Sequence, residues 1–298
     1  MKPSQLRPNG VILPTIMTPH FAALTAAYQL HYYFCFKTRY LHPLIAKPDQ
    51  RILVEEVLQE VCAREGYHLL ERNIEQDQLR MLVSLKPSQS ASKVVQMLKG
   101  NTSRQFGISF NHQLEHYRSR TLWSTGYYAR TSGKVDLEKA RAYVDAQVRH
   151  HEYQGQWTES LSFRNPHFSS PVFQIAHSVC ILNYHIVLAT QQRLALFDEA
   201  IAPNFFKYAM AVGNKHGFAI DRMGVMPDHV HLTMEARPDI SPEQCVLALL
   251  ENTRYWMTKN YYGVLKQTNG WDVWEPSYYV GSVGDYSTAQ VKQFLNNR

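Results

Sequence analysis

The chain has 298 residues, 45% of them hydrophobic and 19% charged, which excludes a disordered chain or a coiled coil and leaves room for one or two cored domains. Lysine and arginine exceed aspartate and glutamate by 31 to 25, so the net charge of +6 favours a polyanionic partner without specifying one. The four cysteines, Cys35, Cys62, Cys180 and Cys245, form no C-x-x-C pair, which argues against a zinc ribbon and for small buried residues in a reducing compartment.

Residues 1–24 read as an N-terminal extension. The apolar run at 11–30 is broken by Pro14, Pro19 and His20, so neither a spanning helix nor a signal-peptide core is expected, and the protein is read as cytoplasmic with no membrane partner. Residues 31–38 (HYYFCFKT) are aromatic-rich and predict a strand. Residues 50–65 repeat apolar side chains at helical spacing and stop before Gly66. Strands at 68–75 and 79–85, a helix near 91–105, a strand at 126–131 and a helix at 136–149 follow. The polar, aromatic stretch 150–177 has no periodicity and reads as a connector, which divides the chain into modules at 25–150 and 178–298 with a linker at 151–177. The second half predicts a strand at 179–190, a helix at 198–216 ending before Gly217, strands at 218–226 and 230–236, a helix at 242–258, a strand at 277–283 and a helix at 287–297. Each half therefore reads β-α-β-β-α-β-α. That order implies an α+β fold of two tandem ferredoxin-like modules, antiparallel sheets with helices packed on them.

The two halves also match residue by residue. An offset of 151 pairs Gly66 with Gly217, Asp77 with Asp228, Asn101 with Asn252, Thr102 with Thr253, Trp123 with Trp274, Tyr128 with Tyr279 and Gly133 with Gly284. Tyr32 and Thr38 match Tyr184 and Thr190 at 152. A shared register over the same order of elements indicates duplication.

The sharpest local motif is M-P-D-H-V-H-L at 226–232. In a strand, His229 and His231 point to one face, where two neutral imidazoles can hold two positions on a divalent metal. A strand whose polar face happens to carry two histidines is the bland alternative. The segments Y-H-I-V-L-A-T, M-P-D-H-V-H-L, a helix with N-T-R, and W-E-P-S-Y-Y-V-G-S-V-G before a last helix occur in order over most of 179–298. This resembles the single-tyrosine HUH transposases of insertion sequences and their relatives, the REP-associated tyrosine transposases. The resemblance implies Mg²⁺ or Mn²⁺ held by the two histidines and a helix-borne side chain. It also implies a helix tyrosine that attacks a single-stranded DNA phosphate, leaving a 5′-phosphotyrosine and a free 3′-OH.

Neither half keeps the whole pattern, which in the last helix looks like Y-I-x-x-Q. The second half ends V-K-Q-F-L-N-N-R, with Phe294 at the nucleophile position and Arg298 at the ligand position. The first half carries Gln78 and Arg80 where the second has His229 and His231, yet its last helix reads A-R-A-Y-V-D-A-Q, with Tyr143 and Gln147 in place. The losses are complementary. Family members resemble dimers in which the last helix of one subunit can complete the histidine site of the other. The chain is therefore expected to act as a monomeric pseudo-dimer with one composite site: Tyr143 as nucleophile and His229, His231 and Gln147 as metal ligands. The corner made of Gln78, Arg80, Phe294 and Arg298 is expected to bind no metal, its arginines holding a DNA phosphate instead.

Basic residues near the first half's last helix, with aromatics interleaved, suit single-stranded nucleic acid; Arg130, Lys134, Arg141, Lys99 and Arg104 are the candidates. A solvated basic face is the alternative for each. His150 and His151 read as an exposed helix end. The partner expected is single-stranded DNA with hairpin or repeat ends. Two rival readings are a domesticated, non-catalytic DNA-binding protein and a replication-initiator or relaxase nickase.

Overall fold

The computed structural model describes residues 21, 24–146, 161–173, 175–266 and 272–296. In its first half, β1 (Thr25–Gln29) and β2 (His31–Lys37) precede α1 (Pro48–Glu65), β3 (His68–Ile74), β4 (Gln78–Ser84), α2 (Ala91–Ser109), α3 (Asn111–His116), β5 (Tyr128–Ser132) and α4 (Leu137–Asp145). The connector and second half hold β6 (Ser162–Arg164), β7 (Val179–Ile181), β8 (Asn183–Thr190), α5 (Ala202–His216), β9 (Phe218–Met226), β10 (His229–Ala236), α6 (Pro242–Asn260), α7 (Tyr262–Leu265), β11 (Trp274–Val283) and α8 (Thr288–Asn296).

Alternation builds the strands. In β2, Tyr32, Phe34 and Phe36 are buried, while Tyr33 and Cys35 are only partly covered. The helices α1 and α5 stop at Gly66 and Gly217, which take left-handed φ values of 70° and 80° and so end each helix at low steric cost. Strands β3-β4-β2-β5 and β9-β10-β8-β11 form two antiparallel sheets of the same ferredoxin-like order. The fold is α+β, in two tandem modules.

The modules exchange strands. β1, from the first half, pairs in parallel with β11, and β7, from the second, pairs in parallel with β5. The stretch 179–190, expected as one strand, divides at buried Leu182 so that β7 serves one sheet and β8 the other. Leu30, also buried, divides β1 from β2 in the same way. The connector, expected to be irregular, adds β6 to the free edge of β9, with Phe163 opposite Met223. Three residues are too few to show a period in sequence.

The repeated residues are the joints of this architecture. Trp123 and Trp274 donate from the indole nitrogen to the hydroxyls of Thr102 and Thr253 at 2.7 and 2.9 Å. The hydroxyls of Tyr32 and Tyr184 lie 2.9 Å apart between the modules, each satisfying the other in a core that runs through both halves. Gly133 and Gly284 lie where the ends of β5 and β11 meet. A Cβ on Gly133 would come within 2.1 Å of the Ser282 carbonyl oxygen, and one on Gly284 within 2.1 Å of the Thr131 carbonyl oxygen, so only glycine fits. The crossing sends α4 over β9 and β10 of the other module, and α8 over β3 and β4. All four cysteines are free thiols, Cys35 partly covered and the others buried. Among the described residues no helix is long and apolar enough to cross a membrane.

Candidate active site

The tight turn at Pro227–Asp228 sets β10 against β9, with His229 opposite Met226 and His231 opposite Gly224. His229 and His231 are both buried, with ring centroids 5.0 Å apart. His229 Nδ1 lies 2.6 Å from Asp228 Oδ1, and Arg193 holds the other Asp228 oxygen at 2.9 Å. His231 Nδ1 lies 3.2 Å from Nε2 of His185, whose ring stacks on it at 5.4 Å and 15°. Burial lowers the His185 pKa to about 4, so that imidazole is neutral near pH 7.

His185 is the site residue that sequence reasoning missed. It sits on β8 opposite Thr233, diagonal to His231, whose direct neighbour is Val187. The signal was present in Y-H-I-V-L-A-T, but the strand register decides which histidines meet.

Tyr143 arrives from the other module on α4. Its ring centroid is 5.5 Å from that of His231 and 6.0 Å from that of His185, edge-on to both. A cavity of about 580 Å³ opens beside these rings, lined also by Lys134, Lys139 and Tyr279. Ion pairs latch α4 in place. Arg141 meets Asp221 at 2.6 Å, and Asp145 meets Arg164 at 2.7 Å and also pairs with Arg222. Thr233 adds a hydroxyl bond to Asp221 at 3.1 Å. Gln147, Arg298, His150 and His151 lie outside the described residues.

Tested against a divalent metal, the donor chemistry fits. Each of His229 and His231 has Nδ1 beside a neighbouring group, Asp228 and His185 in turn, an arrangement typical of metal-ligating histidines. Among the described residues no group of three or more His, Cys, Asp or Glu is placed to hold a metal, so a third protein donor would come from elsewhere, as Gln147 would.

The opposite corner is built differently. Gln78 donates to Glu75 at 2.6 Å, Arg80 pairs with Glu75 at 2.9 Å, and the Arg80 guanidinium lies 5.5 Å from the ring centre of Phe294. An arginine has no lone pair for a metal. Of the basic candidates, Lys99 donates to the Ser124, Thr125 and Gly126 carbonyls at 2.6, 3.1 and 2.9 Å, and burial lowers its pKa to about 8. Arg130 pairs with Asp285, and Arg141 belongs to the α4 latch. Lys134 is exposed at the cavity mouth, and Arg104 is exposed on α2.

Two strand-exchanged modules thus set a tyrosine helix of one over a histidine pair of the other, and the comparisons with known proteins give the class as a tandem transposase. The chain belongs to the IS200-like transposase family: the family model described as "Transposase IS200 like" matches it twice, at residues 26–147 and 178–298. The ISDra2 transposase TnpA of Deinococcus radiodurans is 26% identical over 117 residues, covering 39% of this chain and 84% of that protein. A solved structure described as a transposase, from Deinococcus radiodurans R1, is 21% identical over 42% of this chain and 92% of its own, with a TM-score of 0.34. A REP-associated tyrosine transposase bound to a REP hairpin is 12% identical over 41% of this chain and 68% of its own, with a TM-score of 0.27.

Proposed function

We propose that the protein is a metal-dependent single-stranded DNA endonuclease and strand transferase with one composite active site, acting on hairpin-marked DNA. The observation that carries the proposal is the approach of the Tyr143 ring to within 5.5 Å of His231, across the boundary between modules. His229, His231 and Gln147 would hold the ion. When bound, Mg²⁺ or Mn²⁺ supplies a Lewis acid that withdraws charge from a non-bridging phosphate oxygen.

The chain's own groups do the rest. Asp228 and His185 fix the orientation of the two imidazoles. The latch on α4 fixes the approach of Tyr143, so reacting groups need little reorganisation. The Tyr143 hydroxyl forms a bond to phosphorus as the bond to the 3′ oxygen breaks. The phenolic proton is lost and the departing 3′ oxygen gains one. The product is a 5′-phosphotyrosine, and attack on it by a 3′-OH reverses the step and joins strands without ATP.

Incubation with hairpin-bearing single-stranded DNA and Mn²⁺ tests this. The expected result is one covalent adduct per chain, mapped to Tyr143 and lost in Tyr143→Phe and in His229→Ala. DNA binding without any adduct would replace the proposal with the non-catalytic, domesticated reading.

A further inference from the structure

The corner without histidines has a cavity of its own. About 530 Å³ in volume, it is lined by Tyr33, Tyr128, Arg130, Tyr286 and Phe294, and it lies where the module relation places the counterpart of the Tyr143 cavity. The size is that of a small-ligand site. The replacements have a direction. Tyr33 stands for His185, Tyr286 for Val135 and Phe294 for Tyr143, while Tyr128 matches Tyr279. Four aromatic rings thus surround a cavity whose counterpart has two tyrosine rings and two imidazoles. Tyr286 and Phe294 are 55% and 45% exposed, so both rings reach solvent as well as the cavity. Tyr33 and Tyr128 meet edge to face at 6.0 Å on the sheet behind them.

Charge decides between a phosphate and a base as occupant. Arg80 is already paired with Glu75, and Arg130 with Asp285. Each cation carries a carboxylate beside it that would repel a phosphate. An uncharged, flat, π-faced group meets no such penalty, and aromatic side chains stack on every base. The Arg130 guanidinium lies over the Tyr286 ring at 5.5 Å, and its Nε, buried beside the cavity, has no hydrogen-bond partner.

The position also favours the substrate strand. Thr131 and Ser132 border this cavity, Ser282 and Val283 border the Tyr143 cavity, and the two pairs are hydrogen-bonded to one another, Thr131 to the Val283 carbonyl at 2.6 Å and Ser282 to the Ser132 carbonyl at 2.5 Å. The cavities are back to back across the β5–β11 crossing.

We infer that the corner without histidines is a nucleobase pocket, which stacks an unpaired base of single-stranded DNA and cleaves nothing. The inference rests on the proposed single-stranded DNA substrate. It replaces the phosphate contact expected at Arg80 and Arg298 with a base contact at Tyr286 and Phe294.

Photo-crosslinking with single-stranded deoxyoligonucleotides carrying 5-iodouracil at successive positions tests it, together with affinities of Tyr286→Ser, Phe294→Ala and Phe294→Trp. The expected result is a cross-link to Tyr33, Tyr128, Tyr286 or Phe294 from a narrow set of positions. Affinity should fall about tenfold in the serine and alanine variants and be kept in Phe294→Trp. Cross-links confined to the Tyr143 corner, or unchanged affinity in both truncations, would overturn it. Adduct formation by the unaltered protein is measured alongside. An adduct with truncation-insensitive binding removes this inference alone, whereas no adduct and no single-stranded binding removes the proposed function with it.

Discussion

The two corners share a backbone plan and differ in how their charges are settled. At the histidine corner, His229 is oriented by Asp228 and His231 by neutral His185. At the other, Arg80 replaces His231, and Glu75 stands where the second half has Met226, so the new buried charge has a carboxylate at 2.9 Å. A histidine on this strand is not exchanged for arginine by one substitution alone. The introduced guanidinium needs a partner, and the neighbouring turn supplies it. The helices differ in the same sense. α4 is held by Arg141–Asp221, both largely buried, while on α8 Lys292, at the position of Arg141, meets Glu71, at the position of Arg222, at 3.9 Å and partly in solvent.

The contrast can be broken from several sides. Beyond the loss of adduct in Tyr143→Phe, His185→Phe keeps a planar aromatic ring but removes the partner of His231 Nδ1. Affinity for Mn²⁺, measured by calorimetry, should fall about 10- to 100-fold. An unchanged affinity would reduce His185 to packing. Asp221→Asn removes the carboxylate that Arg141 and Thr233 share and should lower stability to urea by about 2 kcal/mol. Lys292→Met, at the weaker latch, should cost no more than about 0.5 kcal/mol. Equal costs would mean that the helices are held by something other than these pairs. Tyr32→Phe and Tyr184→Phe should each cost about 1 kcal/mol, and the double variant less than their sum, because both hydroxyls then leave together. The smallest effect belongs to Phe294→Tyr. It restores a hydroxyl beside Gln78 and Arg80, which stand where the other half has its two histidines, so adduct mapping should find Tyr143 and no second site.

Much of this was readable in the sequence because duplication prints every structural joint twice. Tyr32 with Tyr184, the tryptophan–threonine pairs and the two crossing glycines recurred at fixed offsets because each has a specific contact to preserve. The complementary losses at Tyr143 and Phe294, and at His229 and Gln78, were legible for the same reason. Strand exchange was not. β1 and β7 are short, and nothing in a run of three to five residues says which sheet it joins. His185 was hidden by register, since its neighbourhood to His231 is diagonal across β8 and β10. The internal partners of the basic residues were not legible either: Lys99, Arg130 and Arg141 are tied to carbonyls or carboxylates inside the protein, and composition counts charges without their partners.

The interleaving of β1 and β7 also settles how the halves assort. Made as separate chains, they could pair like with like. Such pairs would carry either two copies of Tyr143 and no histidine motif, or two histidine motifs and phenylalanine at both tyrosine positions. In one chain, with each module completing the other's sheet, every molecule is the mixed pair. Fusion thereby turns two defective copies into a lineage that cannot segregate its defects.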